Sequence, residues 1–430
     1  MSNYAAINLK QGLSTVIFNI RIFLVAPNMS AQMGGEAIKA LQIFEELQKV
    51  VDDVVQITHV RNQPELSKHR LASRIEYLAD DWVDRMLWNS VVLRAFMTIW
   101  FSYRAVKRAE VLAKQSKGGA QVIIHQTEPN SPVAPRWTSA TFLNVFGPIN
   151  GNIYYPKPFR RYETSGAKIR RILHFPLQYL NRLSRRGISN AHLILAAGGE
   201  RTVSSLLAAG VPHHRIFETL DCGIPDTLCK IDGNAGGAAN GRFIHFGRLV
   251  FHKGTSLAIE AIAKAGENVS LDIVGRGPEL QSCKALVRKL KVDHRVQFLD
   301  WYARREDLVA SFANYCGMIL PSIEDANGIV VQESMAVGLV PVCLDWGGPQ
   351  LLIENEVSGY LIKPDSLENI VTEMARCLEH LASDPALARQ MSANARRRAE
   401  QWKWSLLAEE WIARYSALTG SARAGLPRLH

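Results

Sequence analysis

Two carboxylates, Asp325 and Glu333, lie in a segment whose pattern predicts a strand, a turn, a helix and a second strand. Asp325 opens the turn, and Glu333 lies inside the helix expected at residues 329–337. The free N–H groups and the positive dipole end of such a helix N-terminus favour a phosphate. Glu333 lies roughly 7 Å farther along the helix axis, which suits the ribose hydroxyls of a nucleotide whose diphosphate binds at the turn. The alternative is an ordinary βαβ unit with a solvated Glu333.

Basic residues follow two of the strands expected before this segment. Arg248 comes directly after a short apolar strand, between Gly247 and Leu249, and Lys253 opens the next helix. Residues 275–277, Gly-Arg-Gly, close the following strand in the same way. An Arg and a Lys beside a helix N-terminus form a cation pair suited to a diphosphate. We therefore expect Arg248 and Lys253 to bind phosphate; the alternative is that they are ordinary surface charges.

Short apolar strands alternate with helical patterns through both halves of the chain. Strands are expected at residues 21–27, 54–60, 122–125, 193–197, 243–246, 269–274, 296–299, 318–321 and 340–344. Helices are expected at residues 36–50, from residue 200, and at 253–264, 278–290, 329–337 and 384–418. This alternation predicts an α/β protein with parallel, doubly wound sheets.

A stretch rich in Gly and Ala, residues 232–240, predicts a flexible linker between the two halves. The expected organisation is a first domain at residues 1–225, a linker at 226–241 and a second domain at 242–400. A last helix at 401–430 is expected to pack back on the first domain. Ligands of this fold class bind beyond the carboxyl ends of the strands, so the site is expected in the cleft between the domains.

The composition suits a folded cytoplasmic protein. The chain has 430 residues, 47% of them hydrophobic, which is enough for two cores of ordinary size. Its six cysteines include no CxxC pair, which argues against a disulfide or zinc framework. The start of the chain shows no signal-peptide pattern. The most apolar stretch, residues 88–103, is short for a membrane span and contains Arg94.

Most of the net charge of +10 lies in residues 157–186, which contain nine basic residues and one acid. Apolar residues fall at helical spacing among them, and Pro176 is expected to kink or restart the helix. A basic amphipathic helix suits an anionic membrane surface, with the aromatic residues between 82 and 103 as a second contact. The expected membrane contacts are Arg160, Arg161, Lys168, Arg170 and Arg171. The alternative is that both helices pack on a sheet and the charges are merely solvated; no nucleic-acid-binding motif accompanies the charge.

The ordered motifs resemble those of a known enzyme family. Gly247-Arg248-Leu249 with Lys253, residues 274–279, and Asp325 with Glu333 and residues 335–342 look like the donor-binding domain of GT-B glycosyltransferases of family 4. In the first half, residues 34–36 resemble the glycine loop of that family. His125-x-Thr127-x-Pro129 and residues 147–151 resemble the acceptor-side loops of one subgroup.

The resemblance implies two Rossmann-like domains facing each other across a cleft. It also implies retaining transfer of a hexose from a nucleotide-diphosphate sugar, such as GDP-mannose or UDP-glucose, to an oligosaccharide or lipid-linked acceptor. No metal or other cofactor is expected, and the enzyme would act as a peripheral protein on the inner face of the plasma membrane.

The resemblance also assigns roles to particular residues. Arg248 and Lys253 would hold the diphosphate, Glu333 the ribose hydroxyls, and Asp325 would face the donor sugar. His125 would act across the cleft near the reacting centre; the alternative is a core histidine at a strand end. The expected donor-binding residues are Gly34, Gly35, Gly247, Arg248, Lys253, Gly275, Gly277, Glu324, Asp325, Gly328, Ile329, Val330 and Glu333.

The chain departs from the family pattern at the first motif carboxylate. That position is usually Glu, and here it is Asp325, preceded by Glu324; either could fill the role. Asn327 replaces an aromatic residue, and Gln350 replaces a Glu after the turn at residues 347–349. Two other functions remain open: a sugar-nucleotide epimerase or phosphorylase of similar fold, and a nucleotide-sugar-binding protein without turnover.

Overall fold

The computed structural model describes residues 20–31, 35–90, 93–115, 119–230, 240–302 and 305–423. Within these ranges two parallel sheets are flanked by helices. The sheets have seven and six strands, in the orders β3-β2-β1-β4-β5-β6-β7 and β10-β9-β8-β11-β12-β13, with the strand bounds given below. The expected α/β class with doubly wound parallel sheets is confirmed. Gly34 and most of the expected linker, residues 231–239, lie outside the described residues.

The first sheet and its helices form the N-terminal lobe. Its strands are β1 (Ile20–Val25), β2 (Val54–His59), β3 (Ile75–Leu78), β4 (Gln121–Gln126), β5 (Leu143–Ile149), β6 (Leu193–Ala196) and β7 (Ile216–Glu218). Its helices are α1 (Gly35–Val50), α2 (Gln63–Leu66), α3 (Trp82–Asn89), α4 (Met97–Gln115), α5 (Ser165–Leu183) and α6 (Glu200–Ala208). The strands are mostly buried along their whole length, because helices cover both faces of the sheet.

The second sheet and its helices form the C-terminal lobe. Its strands are β8 (Arg242–Phe246), β9 (Ser270–Val274), β10 (Val296–Leu299), β11 (Gly317–Leu320), β12 (Val340–Leu344) and β13 (Tyr360–Ile362). The helices are α7 (Thr255–Lys264), α8 (Leu280–Leu290), α9 (Arg305–Ser311), α10 (Ile329–Ala336), α11 (Pro349–Leu352), α12 (Leu367–Ser383), α13 (Pro385–Ala399) and α14 (Trp404–Arg423). Buried residues of α7, α8 and α12 pack on one face of the sheet, and those of α10 on the other.

The end of the chain returns to the N-terminal lobe. The single helix expected at residues 384–418 is wrong: α13 and α14 are separated by a short turn near Trp402. There Ile224 pairs with the turn through two backbone hydrogen bonds, from Ile224 N to Trp402 O and from Trp404 N to Ile224 O. Beyond the turn, Trp411 and Tyr415 of α14 are buried in the same cluster as α1 and the first sheet. The helix therefore links the two lobes.

α5 runs through Pro176 as one helix from Ser165 to Leu183, so of the two expectations at this residue, a kink or a restart, the restart is wrong. None of the helices in the described part of the chain is long and apolar enough to cross a membrane.

Candidate active site

Two glycine turns interlock at the carboxyl ends of β8 and β9. A Cβ on Gly275 would lie 2.2 Å from Gly247 O, and one on Gly277 would lie 2.2 Å from Leu249 O. Only glycine permits such a close approach of two backbones. Arg248, whose side chain is exposed, is therefore carried on a turn that the neighbouring turn holds in place.

Lys253 and Asp325 form an ion pair beside these turns, with Nζ 2.7 Å from Oδ2. The other carboxylate oxygen of Asp325 accepts a hydrogen bond from Gly328 N at 2.8 Å. Lys253 is followed by Gly254, whose φ of 69° lies in the left-handed region, and α7 begins at the next residue. The Asp325 carboxylate thus stabilises the turn before α10 and fixes the position of the Lys253 ammonium group.

The N-terminus of α10 lies at the same edge of the sheet. Gly328 precedes the helix with a φ of 67°, and Ile329 and Val330 are its first two residues. The first N–H groups of an α-helix have no partner inside the helix, so this end can bind an anion. The turn at residues 347–349 supports it, because Gly348 N donates to Asp325 O at 2.7 Å. Glu333 lies farther along α10 and is buried.

His252 adds a group that the sequence analysis did not single out. Burial lowers the pKa of its imidazole, and the nearby cations Lys253 and Arg248 lower it further. The carboxylate of Glu324 opposes that shift. Two permanent cations and a helix N-terminus thus meet at one edge of the C-terminal sheet, an arrangement that suits a diphosphate. The only signal in the sequence was the position of His252 next to Lys253.

The N-terminal lobe reaches across the cleft to the loop that carries Asp325. Arg201, at the start of α6, and Asn150 both donate to the carbonyl of Ala326, each at 2.9 Å. Arg201 also donates to Asn150 Oδ1 at 2.8 Å and to Gly151 O at 3.0 Å. Burial lowers the pKa of Arg201 to about 10, and the neighbouring carboxylates, including Asp325, oppose this shift. Two hydrogen bonds to Ala326 O therefore hold the loop that carries Asp325 against the N-terminal lobe, and the two bonds within that lobe orient Arg201.

A second group of polar side chains lies on the N-terminal side, next to α1. Lys39 Nζ lies 2.7 Å from Asn130 Oδ1 and 2.8 Å from Asp221 Oδ1, and it is buried. Burial raises the pKa of Glu128 to about 7, and the carboxylate of Glu36 contributes to the shift. Glu128 follows β4 directly, where the resemblance places an acceptor-side loop. Sequence reasoning missed Lys39 and Glu128 because no local pattern marks them.

The structure does not place His125 where the sequence suggested. Its side chain is fully buried in the N-terminal lobe. Nε2 lies 2.7 Å from Gly147 O, and Nδ1 lies 2.9 Å from the Tyr415 hydroxyl of α14. Burial lowers its pKa to about 4. A neutral ring with both nitrogens engaged by protein is a structural histidine, so the assignment of a catalytic role across the cleft is corrected.

Most of the other predicted site residues lie together in the C-terminal lobe. Gly247, Arg248, Lys253, Gly275, Gly277, Glu324, Asp325, Gly328, Ile329, Val330 and Glu333 all lie on the turns and the helix just described. Gly35 begins α1 in the opposite lobe. Asp325 is engaged by both Lys253 and Gly328, whereas Glu324 lies near His252 and Tyr155.

Comparisons with known proteins find a family match over the C-terminal lobe. Residues 239–398 match the family model described as glycosyl transferases group 1. An uncharacterized glycosyltransferase of Haemophilus influenzae is 29% identical over 176 residues, which cover 40% of this chain and 48% of that protein. The lipopolysaccharide 1,6-galactosyltransferase of Escherichia coli is 24% identical over 206 residues, covering 46% of this chain and 55% of that protein. The chain thus spans about half the length of these curated relatives.

The solved structure of HepE from Anabaena, in complex with UDP, resembles the whole fold. It has a TM-score of 0.63 and 17% identity, and the match covers 93% of this chain and 100% of that chain. At this identity the likeness shows the fold alone, which is the expected GT-B arrangement of two α/β lobes. Residues 239–398 therefore resemble the group 1 glycosyl transferases, and the described part of the chain has the GT-B fold.

Proposed function

We propose that the chain is a retaining glycosyltransferase that moves a hexose from a nucleotide-diphosphate sugar to an oligosaccharide or lipid-linked acceptor. The observation that carries the proposal is the convergence of Arg248, Lys253 and the α10 N-terminus at the edge of a domain that matches group 1 glycosyl transferases. The second motif carboxylate, Glu333, lies in the same helix, where a nucleotide ribose would follow its diphosphate.

The proposed reaction exchanges one bond at the anomeric carbon of the sugar for another. The bond from C1 to the diphosphate oxygen breaks as the bond from C1 to the acceptor oxygen forms on the same face. The acceptor proton passes to the leaving diphosphate oxygen. Arg248 and Lys253 stabilise the negative charge that develops on that diphosphate, and such preorganised charge is often the largest catalytic contribution.

No metal or other cofactor enters this scheme, because the cations of the chain take the place of a metal at the diphosphate. Among the described residues, no three His, Cys, Asp or Glu side chains are grouped so as to hold a metal ion.

Two relatives support the class of donor and acceptor. HepE was solved with UDP, and a further structure of that protein contains UDP-glucose. The Escherichia coli relative is named for galactose transfer to lipopolysaccharide. We therefore propose a UDP- or GDP-linked hexose as donor and a cell-surface glycan or its lipid-linked precursor as acceptor.

We also propose that the protein works as a peripheral protein on the cytoplasmic face of an anionic membrane. The basic residues of the segment 157–186 lie on and beside α5, most of them exposed. Three exposed aromatic residues, Trp82, Trp88 and Phe96, lie on α3 and the turn after it. Membrane binding should weaken as salt is added and should require anionic lipid.

The test of the transferase proposal is incubation with a panel of nucleotide sugars, with and without an oligosaccharide or lipid-linked acceptor. Release of nucleoside diphosphate that depends on the acceptor, with the sugar on the acceptor in retained configuration, is expected. Formation of an epimeric nucleotide sugar without acceptor would show an epimerase, and dependence on inorganic phosphate a phosphorylase. Binding without any turnover would show a non-catalytic nucleotide-sugar-binding protein.

A further inference from the structure

α5 presents its apolar side chains to solvent, whereas the two side chains that it buries against the protein are polar. Its two buried residues are His174 and Gln178. The exposed apolar residues are Ile169, Ile172, Leu173, Phe175, Leu177, Tyr179, Leu180 and Leu183. A helix on a soluble domain normally has the opposite arrangement, with the apolar stripe facing the core. Of the alternative weighed from the sequence, that both helices pack on a sheet, the part that concerns α5 is contradicted as far as its apolar face is concerned.

The cations of α5 flank this apolar face. At about 3.6 residues per turn, Lys168 and Arg182 fall on one side of it and Arg170 on the other. A helix with an apolar face bordered by cations lies in the interface of a bilayer, with its apolar side chains among the acyl chains and its cations at anionic headgroups. The net charge of residues 157–186, nine basic residues against one acid, favours an anionic bilayer as the partner over a neutral apolar protein surface.

The C-terminal half of α5 is attached to the N-terminal lobe. Gln178 Nε2 donates to Pro132 O at 3.1 Å and to Ser205 Oγ at 2.6 Å. One turn later, Asn181 Nδ2 donates to Val133 O at 3.1 Å. These contacts join α5 to α6 and to the loop after β4.

The segment just before α5, residues 153–163, is attached to the C-terminal lobe instead; we call it the strap. Phe159 is 3% exposed and lies in the core cluster of the second sheet. Trp346 Nε1 donates to Tyr154 O at 2.9 Å. The ring of Tyr162 lies 4.8 Å from that of Phe251, two residues before Lys253. The strap therefore ends against the turn that carries the proposed phosphate-binding lysine.

The strap is also joined to α5 itself. Glu163 Oε2 pairs with Arg171 at 3.1 Å, and its carboxylate is almost completely buried. The Tyr154 hydroxyl lies 3.0 Å from His174 Nδ1. α5 and the strap thus form one unit that contacts both lobes. Opening the cleft would have to pull Phe159 out of the C-terminal core or detach α5 from the N-terminal lobe.

We propose that α5 and the strap form a membrane-docking unit shared by both lobes, so that an anionic bilayer bound to α5 favours the closed cleft and strengthens donor binding. The inference rests on the donor site and the membrane contact proposed above. A ligand shifts a conformational equilibrium only by its differential affinity for the two states. In this proposal the anionic bilayer and the nucleotide-sugar donor both bind more tightly to the state in which the strap contacts the C-terminal lobe. Linkage then requires that the donor strengthen membrane binding by the same factor.

The test measures binding of UDP and UDP-glucose to the full chain by calorimetry, with no vesicles, with phosphatidylcholine vesicles and with vesicles that also contain phosphatidylglycerol. We expect binding to be about fivefold tighter or more in the presence of the anionic vesicles only. In the reciprocal titration, UDP-glucose should tighten vesicle binding by the same factor.

Two sets of variants separate coupling from binding. Phe159→Ala should still bind anionic vesicles, but its UDP-glucose affinity should no longer respond to them. Because this change opens a cavity in the core, Tyr162→Ala and Tyr162→Phe provide a second comparison on the surface. The Phe variant keeps the ring against Phe251 and should keep the response, whereas the Ala variant should reduce it.

The possible failures are distinguishable. Wild-type protein that binds anionic vesicles and UDP-glucose with unchanged affinities would overturn the coupling alone. Absence of vesicle binding would overturn both the coupling and the membrane contact. Absence of UDP and UDP-glucose binding, with or without vesicles, would overturn the coupling together with the donor site for these nucleotides.

Discussion

The two lobes build their sides of the cleft in different ways. In the C-terminal lobe, short turns at strand ends interlock through glycine, and a Cβ on Gly275 or Gly277 would lie 2.2 Å from the facing carbonyl oxygen. In the N-terminal lobe, long side chains make hydrogen bonds to partners far away in the sequence. Arg201 reaches Ala326 O across the cleft, and Lys39 pairs with Asp221 within the lobe. The first construction fixes a binding site within one domain, and the second holds that site in place from outside. Substitutions in the C-terminal lobe should therefore impair chemistry, and those in the N-terminal lobe should change closure and stability.

The largest effect is expected from Lys253→Ala. The change removes a cation that stabilises the leaving diphosphate, so kcat/KM should fall about 10²–10³-fold, which corresponds to about 3–4 kcal/mol. The measurement is steady-state kinetics with donor and acceptor, with a thermal melt to confirm folding. Lys264→Ala, at the end of α7, is the matched control and should be neutral. Turnover of Lys253→Ala near that of wild type would contradict the assignment of the diphosphate site.

The next comparison is between adjacent carboxylates, Asp325→Ala and Glu324→Ala. Loss of Asp325 leaves Lys253 without its ion-pair partner and removes the acceptor for Gly328 N, so kcat/KM should fall by about 2–3 kcal/mol, or roughly 30–150-fold. Glu324→Ala should lower kcat/KM by less than Asp325→Ala does. The reverse order, a silent Asp325→Ala and a damaging Glu324→Ala, would show that Glu324 fills the first motif position.

Glu128→Gln tests the N-terminal lobe through stability. The pKa of Glu128 in the folded protein is about 7, above its ordinary value of 4.5, so the folded state holds this proton more tightly than the unfolded chain does. The wild-type protein therefore loses stability as the pH rises from 4.5 to 7. Glu128→Gln should remove that loss and gain about 3 kcal/mol above pH 7, with little gain below pH 4.5.

Denaturant unfolding of Glu128→Gln and wild type at pH 4.5 and pH 8 makes this measurement. A gain of equal size at both pH values would mean that the carboxyl group titrates normally. Glu46→Gln, at a partly buried position of α1 where the carboxylate pairs with Lys49, serves as the control for exchanging a carboxylate for an amide in the same lobe.

The smallest effect is expected from Arg201→Lys. Lysine keeps the charge but cannot reproduce the planar fork that reaches Ala326 O, Asn150 Oδ1 and Gly151 O together. We expect about a tenfold loss in kcat/KM, mostly through the KM for the donor, because the loop that carries Asp325 and Ala326 is held less firmly. Arg215→Lys, which loses only a bond to Ala191 O, should be near neutral. A loss confined to kcat would place Arg201 at the reaction itself.

The C-terminal site could be predicted because its chemistry is local. Gly247, Lys253, Gly275 and Gly328 lie at strand–helix turns, where a few consecutive residues determine both conformation and charge. The fold class followed from the alternation of apolar strands with helices for the same reason. Short strands such as β3 and β13 were missed, because four or three residues give too little periodicity to distinguish them from turns.

The N-terminal side of the site could not be predicted because it depends on distant partners. His125 has the strand-end position of a functional histidine, but Tyr415, 290 residues away, engages its ring in the core. Arg201 and Ala326 are separated by 125 residues. The apolar pattern of α5 was visible in the sequence, but which face would be exposed depended on the lobe against which it packs.

The most direct test of the account is a crystal structure of the full chain with its nucleotide-sugar donor. The account predicts the diphosphate between Arg248 and Lys253, with one of its oxygens at the N–H groups that begin α10 and the ribose hydroxyls at Glu333. A donor bound anywhere else, or a diphosphate that contacts neither Lys253 nor the α10 N-terminus, would contradict it.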